Sequence, residues 1–334
     1  MSLRRLQAEL SHRLAGALAL LVLFFSIAWV LIRALGLFGG TGNLPQFIVV
    51  TLNGITLAGL YFIVASGFTL IFGLMRVVNM AHGSLYLLGG YLAFRLVQQQ
   101  ALNYWLALVL AAIAIGVVGL LMQQIFLRWN QGQDLRQALI TIALSVVLAD
   151  QMIPLFGAEA VTTTPPSGLG GSIGLGISGV RYPTFRLVVL GLALLIGFGL
   201  WFGIKNTRFG MIIRAGVDDR AMTSALGINV QLVFAVTFFI GALLAGLGGV
   251  LGGTMIALAP GQDASFLLSS LVVVIVGGMG SLAGAVIGAL ALGLVDQLSG
   301  VYLPTGYTNF SILLTFALLV FVLAVRPTGL FGRR

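Results

Sequence analysis

The sequence predicts an all-α polytopic membrane protein with about 8–10 transmembrane helices, some of them broken or re-entrant. Three observations predict it. Hydrophobic residues fill 59% of the 334 positions and charged residues 7%, where a soluble domain carries about a quarter charged. Mean hydropathy is +1.12. The apolar residues also gather into charge-free runs, and about 20 such residues cross the hydrocarbon. Chains of this kind form one helical bundle, so length alone does not argue for two domains.

Apolar runs near 14–32, 46–75, 82–97, 104–127, 137–155, 187–204, 231–258, 266–295 and 308–325 mark the spans. The first follows Arg4, Arg5, His12 and Arg13. It is longer than a signal-peptide core and no small-x-small cleavage site follows, so it reads as a retained helix within an N-terminal extension, 1–45. The second holds Asn53, Thr56, Ser66 and Thr69. After it comes "RVVNMAHGSLYLLGGYLAF", which brings Asn79, His82, Ser84 and Tyr86 into the third. An amide in hydrocarbon costs free energy unless it is hydrogen-bonded. These groups read either as glue between helices or as a path for a small polar solute lined by Asn53, Thr56, Asn79 and His82. His82 alone reads as a packing histidine before a ligand; the stretch as a whole is the better signal.

Sidedness follows from the basic residues. The formal net charge of +9 reads as Lys and Arg held on the cytoplasmic side against anionic lipid rather than as nucleic-acid binding. An N-terminus inside also puts Arg76, the Arg128–Arg136 loop and the 205–229 segment inside. The loops 36–45, 98–103, 156–186 and 259–265 then fall outside. The 156–186 loop is rich in Pro, Gly and Ser, as an external loop should be. One conflict remains. If 266–295 crosses once, Arg326, Arg333 and Arg334 end on the wrong side. Either this element enters and returns on one face, broken at the glycines of "VGGMGSLAG", or a span is miscounted, for instance within 46–75. Broken backbone at membrane depth survives only inside protein or beside a watery cavity.

Glycine is abundant, at 46 residues. Gly248-xxx-Gly252, Gly249-xxx-Gly253 and Gly280-xxx-Gly284-xxx-Gly288 place small residues four apart, which lets helices pack backbone to backbone.

Chemistry is sparse. There is no Cys, and His12 and His82 are the only histidines, so no thiolate site, metal or other cofactor is expected in this chain. No G-x-x-x-x-G-K-[ST] loop, H-E-x-x-H or G-x-S-x-G occurs. The acids are scattered over loops and none falls in the middle of a predicted span, which disfavours both a membrane enzyme and an ion-coupled carrier.

The stretch "NTRFGMIIRAGVDDRAMTSALGINV" (206–230) stands apart. Arg208, Arg214, Asp218, Asp219 and Arg220 crowd into it between two apolar runs. Asp218 or Asp219 can cap a helix start. Ala221, Met222, Ala225 and Leu226 then share one face, with Arg220, Thr223 and Ser224 away from it. Gly227 follows as a stop. A helix of about nine residues is too short to span or to stand alone, so it needs a partner surface. Helices lying on a bilayer carry a stronger basic and aromatic signature, which favours docking to a cytoplasmic protein.

Four motifs in order carry a resemblance. "LNGITLAGLYFIVASGFTLIFGLMRVVNMAHGSLYLLGGYLAF" (52–94), "RFGMIIRAGVDDRAMTSALGINV" (208–230), "GGMGSLAGAVIGALALGLVD" (277–296) and "RPTGLF" (326–331) resemble the permease subunits of branched-chain amino acid ABC importers, the shorter H-type in particular. Urea and short-amide importers share the pattern. The likeness covers 46–331; the N-terminal extension departs from it. It implies a type II-like importer bundle in a bacterial inner membrane, with both termini cytoplasmic. The implied partners are a second, non-identical permease, two cytoplasmic ATPases that bind the ATP, and a periplasmic substrate-binding protein. It also implies ATPase coupling through Arg214, Ala215, Asp218, Asp219, Ala221, Met222, Leu226 and Gly227. A standalone channel or facilitator for a small neutral solute is the competing expectation, and it leaves the 206–230 island without a purpose.

Overall fold

The structure, a computed structural model, describes Ile32 and residues 44–176, 180–218, 220–303 and 311–332. The expected span at 14–32 apart from Ile32, and Asp219, Arg333 and Arg334, lie outside the described residues. Helices dominate, as the sequence predicts: α1 (Leu44–Met75), α2 (His82–Phe94), α3 (Tyr104–Met122), α4 (Asp134–Phe156), α5 (Thr184–Asn206), α6 (Arg208–Asp218), α7 (Arg220–Ala225), α8 (Val230–Met255), α9 (Gln262–Gly277), α10 (Leu282–Tyr302) and α11 (Ser311–Val325). A short hairpin, β1 (Ser172–Gly174) with β2 (Arg181–Pro183), pairs Ile173 with Tyr182 in antiparallel register. Helices suit a bilayer because each satisfies its own backbone polar groups.

Among the described residues, α1, α3 with its extension to Asn130, α4, α5, α8 and α10 are long and apolar enough to cross a membrane. Two expected spans come out differently. The run at 82–97 is a 13-residue α-helix followed by a π turn over Arg95–Gln99. At 1.5 Å per residue α2 reaches only about 20 Å, less than the hydrocarbon thickness. The run at 266–295 is two helices, α9 and α10, joined by a turn in which Gly278 (φ 103) and Gly280 (φ 81) hold the left-handed backbone that favours glycine.

The chain divides into two compact units, one formed by residues up to Ala58, Ser172–Pro183 and Val272 onward, the other by Gly59–Gly171 and Thr184–Leu271. In the first, the end of α9 and the start of α10 lie backbone to backbone. An added Cβ on Gly284 would strike the Gly277 carbonyl, and one on Gly288 the Val273 carbonyl. Gly280, expected on that packing face, sits in the turn instead. Ser281 caps α10, its Oγ accepting from Gly284 N at 3.1 Å. The chain after α11 then docks on this turn: Leu330 N donates to the Val276 carbonyl and Phe331 N to that of Gly277, both at 2.9 Å. The segment from Arg326 therefore shares an end with the α9–α10 turn.

In the second unit α8 is the central helix, packed on α2 and α3. Between apolar helices in lipid, close van der Waals contact drives association. The glycines of α8 permit it. A Cβ at Gly249 would meet the Tyr86 carbonyl, at Gly252 the Tyr86 hydroxyl, at Gly248 the Val64 side chain and at Gly253 that of Leu258. Ile71, Leu85, Ile115, Phe234, Phe238 and Ala245 build the core around this crossing.

Candidate functional site

The sequence-predicted path residues fall in two pairs. In the first unit, Thr56 donates back to the Leu52 carbonyl at 3.0 Å and meets the Tyr182 hydroxyl at 2.8 Å. Asn53 is half-buried one turn before it. In the second unit, Asn79 and His82 are fully buried. Asn79 Oδ1 accepts from Ala81 N at 3.2 Å, while its Nδ2 has no partner. His82 Nε2 lies 2.9 Å from the Val64 carbonyl, so it carries the hydrogen and donates it. Phe68 meets the imidazole edge-on with centroids 5.4 Å apart. His82 thus ties the start of α2 to the middle of α1, and its Nδ1 is left unpartnered.

The sequence reading missed one group. Asp263, expected in an external loop, stands in the first turn of α9. Its Oδ2 accepts from Ser84 Oγ at 3.2 Å, and Ser84 Oγ lies 2.8 Å from Ser145 Oγ. Ser145 is midway along the 23-residue α4. No acid falls in the middle of a predicted span, but Asp263, at the start of a short helix, comes level with the middle of α4. Linear order hid it: α2 and α9 are short helices, and their first turns meet at Gly83, whose added Cβ would strike the Asp263 carbonyl.

The 206–230 island is two helices, not one. The expected helix after Asp218 or Asp219 corresponds to α7, which starts at Arg220, and α6, starting at Arg208, is an additional helix ahead of it. The signal was Thr207, whose Oγ1 accepts from Gly210 N at 3.1 Å as a helix cap. Asp218 ends α6 rather than opening a helix. Arg214 is exposed and donates to the Ile204 carbonyl at the end of α5. Ala215 beside it is exposed too. α7 covers Arg220–Ala225, and Ala221 lies within it. Gly227 (φ 81) closes the turn, its N donating to the Ser224 carbonyl at 3.0 Å. Thr223, expected away from the packing face, is buried. Met211, Met222 and Leu226 project outward at 54%, 61% and 71% exposure. Behind α6 lies a cavity of about 210 Å³ lined by Leu70, Gly199, Phe209, Ile213 and Thr237. Capping and the Arg214 bond stiffen this element, and its large apolar side chains are left without cover.

A family profile described as the permease component of the branched-chain amino acid transport system matches residues 50–323. The chain is 32% identical over 299 residues to the high-affinity branched-chain amino acid transport system permease protein LivH of Escherichia coli (strain K12), covering 84% of this chain and 94% of that one. It is 30% identical over 294 residues, with the same coverage, to permease protein BraD of Pseudomonas aeruginosa. The LivM permease of Escherichia coli is 24% identical over 305 residues, 84% of this chain and 69% of its own. Together with the helices long enough to cross a bilayer, these matches show that the chain is a multi-pass membrane protein of the branched-chain amino acid transport system permease family.

Proposed function

We propose that the chain is the LivH-like half of a pair of non-identical permeases in an ATP-driven importer of branched-chain amino acids. Two soluble ATPases bind at the 205–229 segment, and a periplasmic protein delivers the solute. Both termini face the cytoplasm of a bacterial cell. The second permease is favoured because LivH and LivM are named as permeases of one kind of system and this chain resembles LivH more than LivM.

The observation that carries this reading is the outward apolar face of Met211, Met222 and Leu226 on a capped, charged element between two spanning helices. An ATPase groove that buries Met222 and Leu226 gains about 1.5–3 kcal/mol from each. The cavity behind α6 gives the element room to shift. Reconstitution tests the reading. The chain with its partner permease, ATPases and binding protein should import L-leucine only when ATP is present. Leucine entry into liposomes that hold this chain alone, without ATP, would make it a facilitator instead.

A further inference from the structure

Among the described residues, none supplies a counter-charge to Asp263. The first turn of a helix favours an acid, yet this one lies level with the middle of α4, a helix long enough to span. An ionisable group at such depth is costly, and where it occurs it marks a ligand or ion pathway. Its partners are few. Ser84 Oγ has three acceptors for its one hydrogen, the Ser145 carbonyl at 3.3 Å, Ser145 Oγ at 2.8 Å and the Asp263 carboxylate at 3.2 Å, and it is the one side chain bonded to that carboxylate among the described residues. That bond occupies one of about four lone-pair sites on the carboxylate. Among the described residues Asp263 forms no ion pair, and its side chain is partly open.

A second observation points to the same place. Tyr91 lies two turns beyond Ser84 on the same face of α2. Its ring stacks on Phe156 of α4 with centroids 5.1 Å apart. Its hydroxyl is fully buried and has no hydrogen-bond partner among the described residues. The junction of α2, α4 and α9 therefore carries a carboxylate and two hydroxyls in contact, with a spare hydroxyl donor two turns further along α2.

We infer that Asp263, Ser84 and Ser145 form a station for a primary ammonium group, the α-amino end of the amino acid in transit. This rests on the reading that the solute is an amino acid. An ammonium offers three donors: the free carboxylate positions take one or two and a serine oxygen takes another. A neutral solute would leave the anion uncompensated.

The test uses the complete transporter in proteoliposomes, with its binding protein and L-leucine as probe. Losing a hydrogen bond to a charged group should lower uptake about tenfold or more in Asp263→Asn. Copurification of the second permease and ATP hydrolysis stimulated by the binding protein should stay within about twofold of wild type. Ser145→Ala should lower uptake by a smaller factor, and Asp263→Glu should recover part of the loss. Uptake by Asp263→Asn within about twofold of wild type overturns the inference. Loss of the second permease from Asp263→Asn overturns it too, because Asp263 then pairs with a cation of that subunit. A parallel fall of uptake and ATP hydrolysis in both Asp263→Asn and Ser145→Ala assigns a structural role and overturns it likewise. A wild-type complex that carries no leucine removes the amino-acid reading itself; with leucine carried, the variants decide the station alone.

Discussion

α8 and α5 are both apolar, long enough to span and rich in glycine, yet 56% of the most apolar stretch of α8 is buried and 11% of that of α5. The glycines explain the contrast. Those of α8 press on Tyr86, Val64 and Leu258, whereas Gly191, Gly199 and Gly203 of α5 have nothing within 4 Å of an added Cβ. Gly199 and Gly203 form the same four-apart pattern that packs α8. A small-residue stripe therefore permits close packing without deciding where it happens. On α5 the Gly199–Gly203 stripe borders the cavity behind α6 instead of a packed helix.

This contrast can be broken experimentally, and the largest effect is expected in α8. Gly249→Leu would drive a side chain into the Tyr86 backbone, a collision that cannot relax by rotamer change. It should cost about 3 kcal/mol or more and abolish a cooperative melt of the purified chain. A smaller effect is expected at Tyr182→Phe, which removes the partner of Thr56; the melt should fall by about 1 kcal/mol. Least of all should follow from Gly199→Leu, within about 0.5 kcal/mol for the isolated chain. An unchanged melt in Gly199→Leu fits a side chain that enters the cavity behind α6 instead of a packed helix surface. A large loss of stability in Gly199→Leu alone would contradict the contrast.

Particular residues show what the sequence made legible. The break within 266–295 could be read because Arg326 sits on the wrong side of an unbroken span, and Gly278 and Gly280 supply the turn. The stop at Gly227 could be read from residue type. The helix after Asp218 and Asp219 could be read, as α7, but α6 ahead of it could not, because its cap is Thr207, an ordinary hydroxyl beside an arginine. Periodicity also failed at 82–97, where α2 ends short of a full span and a π turn continues the apolar run. Asp263 was hidden for a different reason. Its depth is set by where two short helices begin, and hydropathy reads span content but not starting depth. Asn79 and His82 were visible as polar residues in an apolar stretch, but the bond from His82 to the Val64 carbonyl depends on how α2 folds back on the preceding α1, which residue type does not show.

The contrast extends to the island. Buried α8 fixes the bundle, whereas α6 and α7 hold Met222 and Leu226 outward at the end of α5. The central claim is that ATP-driven motion enters the membrane there. Leu226→Asp measures it most directly, because the side chain is exposed and its change leaves the core untouched. In an ATPase groove the carboxylate would be buried without a partner, at a cost of several kcal/mol. The variant should insert and melt as wild type does, yet lose ATPase copurification and ATP-driven leucine uptake together. If Leu226→Asp keeps its ATPase and imports leucine at the wild-type rate, force does not enter through this island.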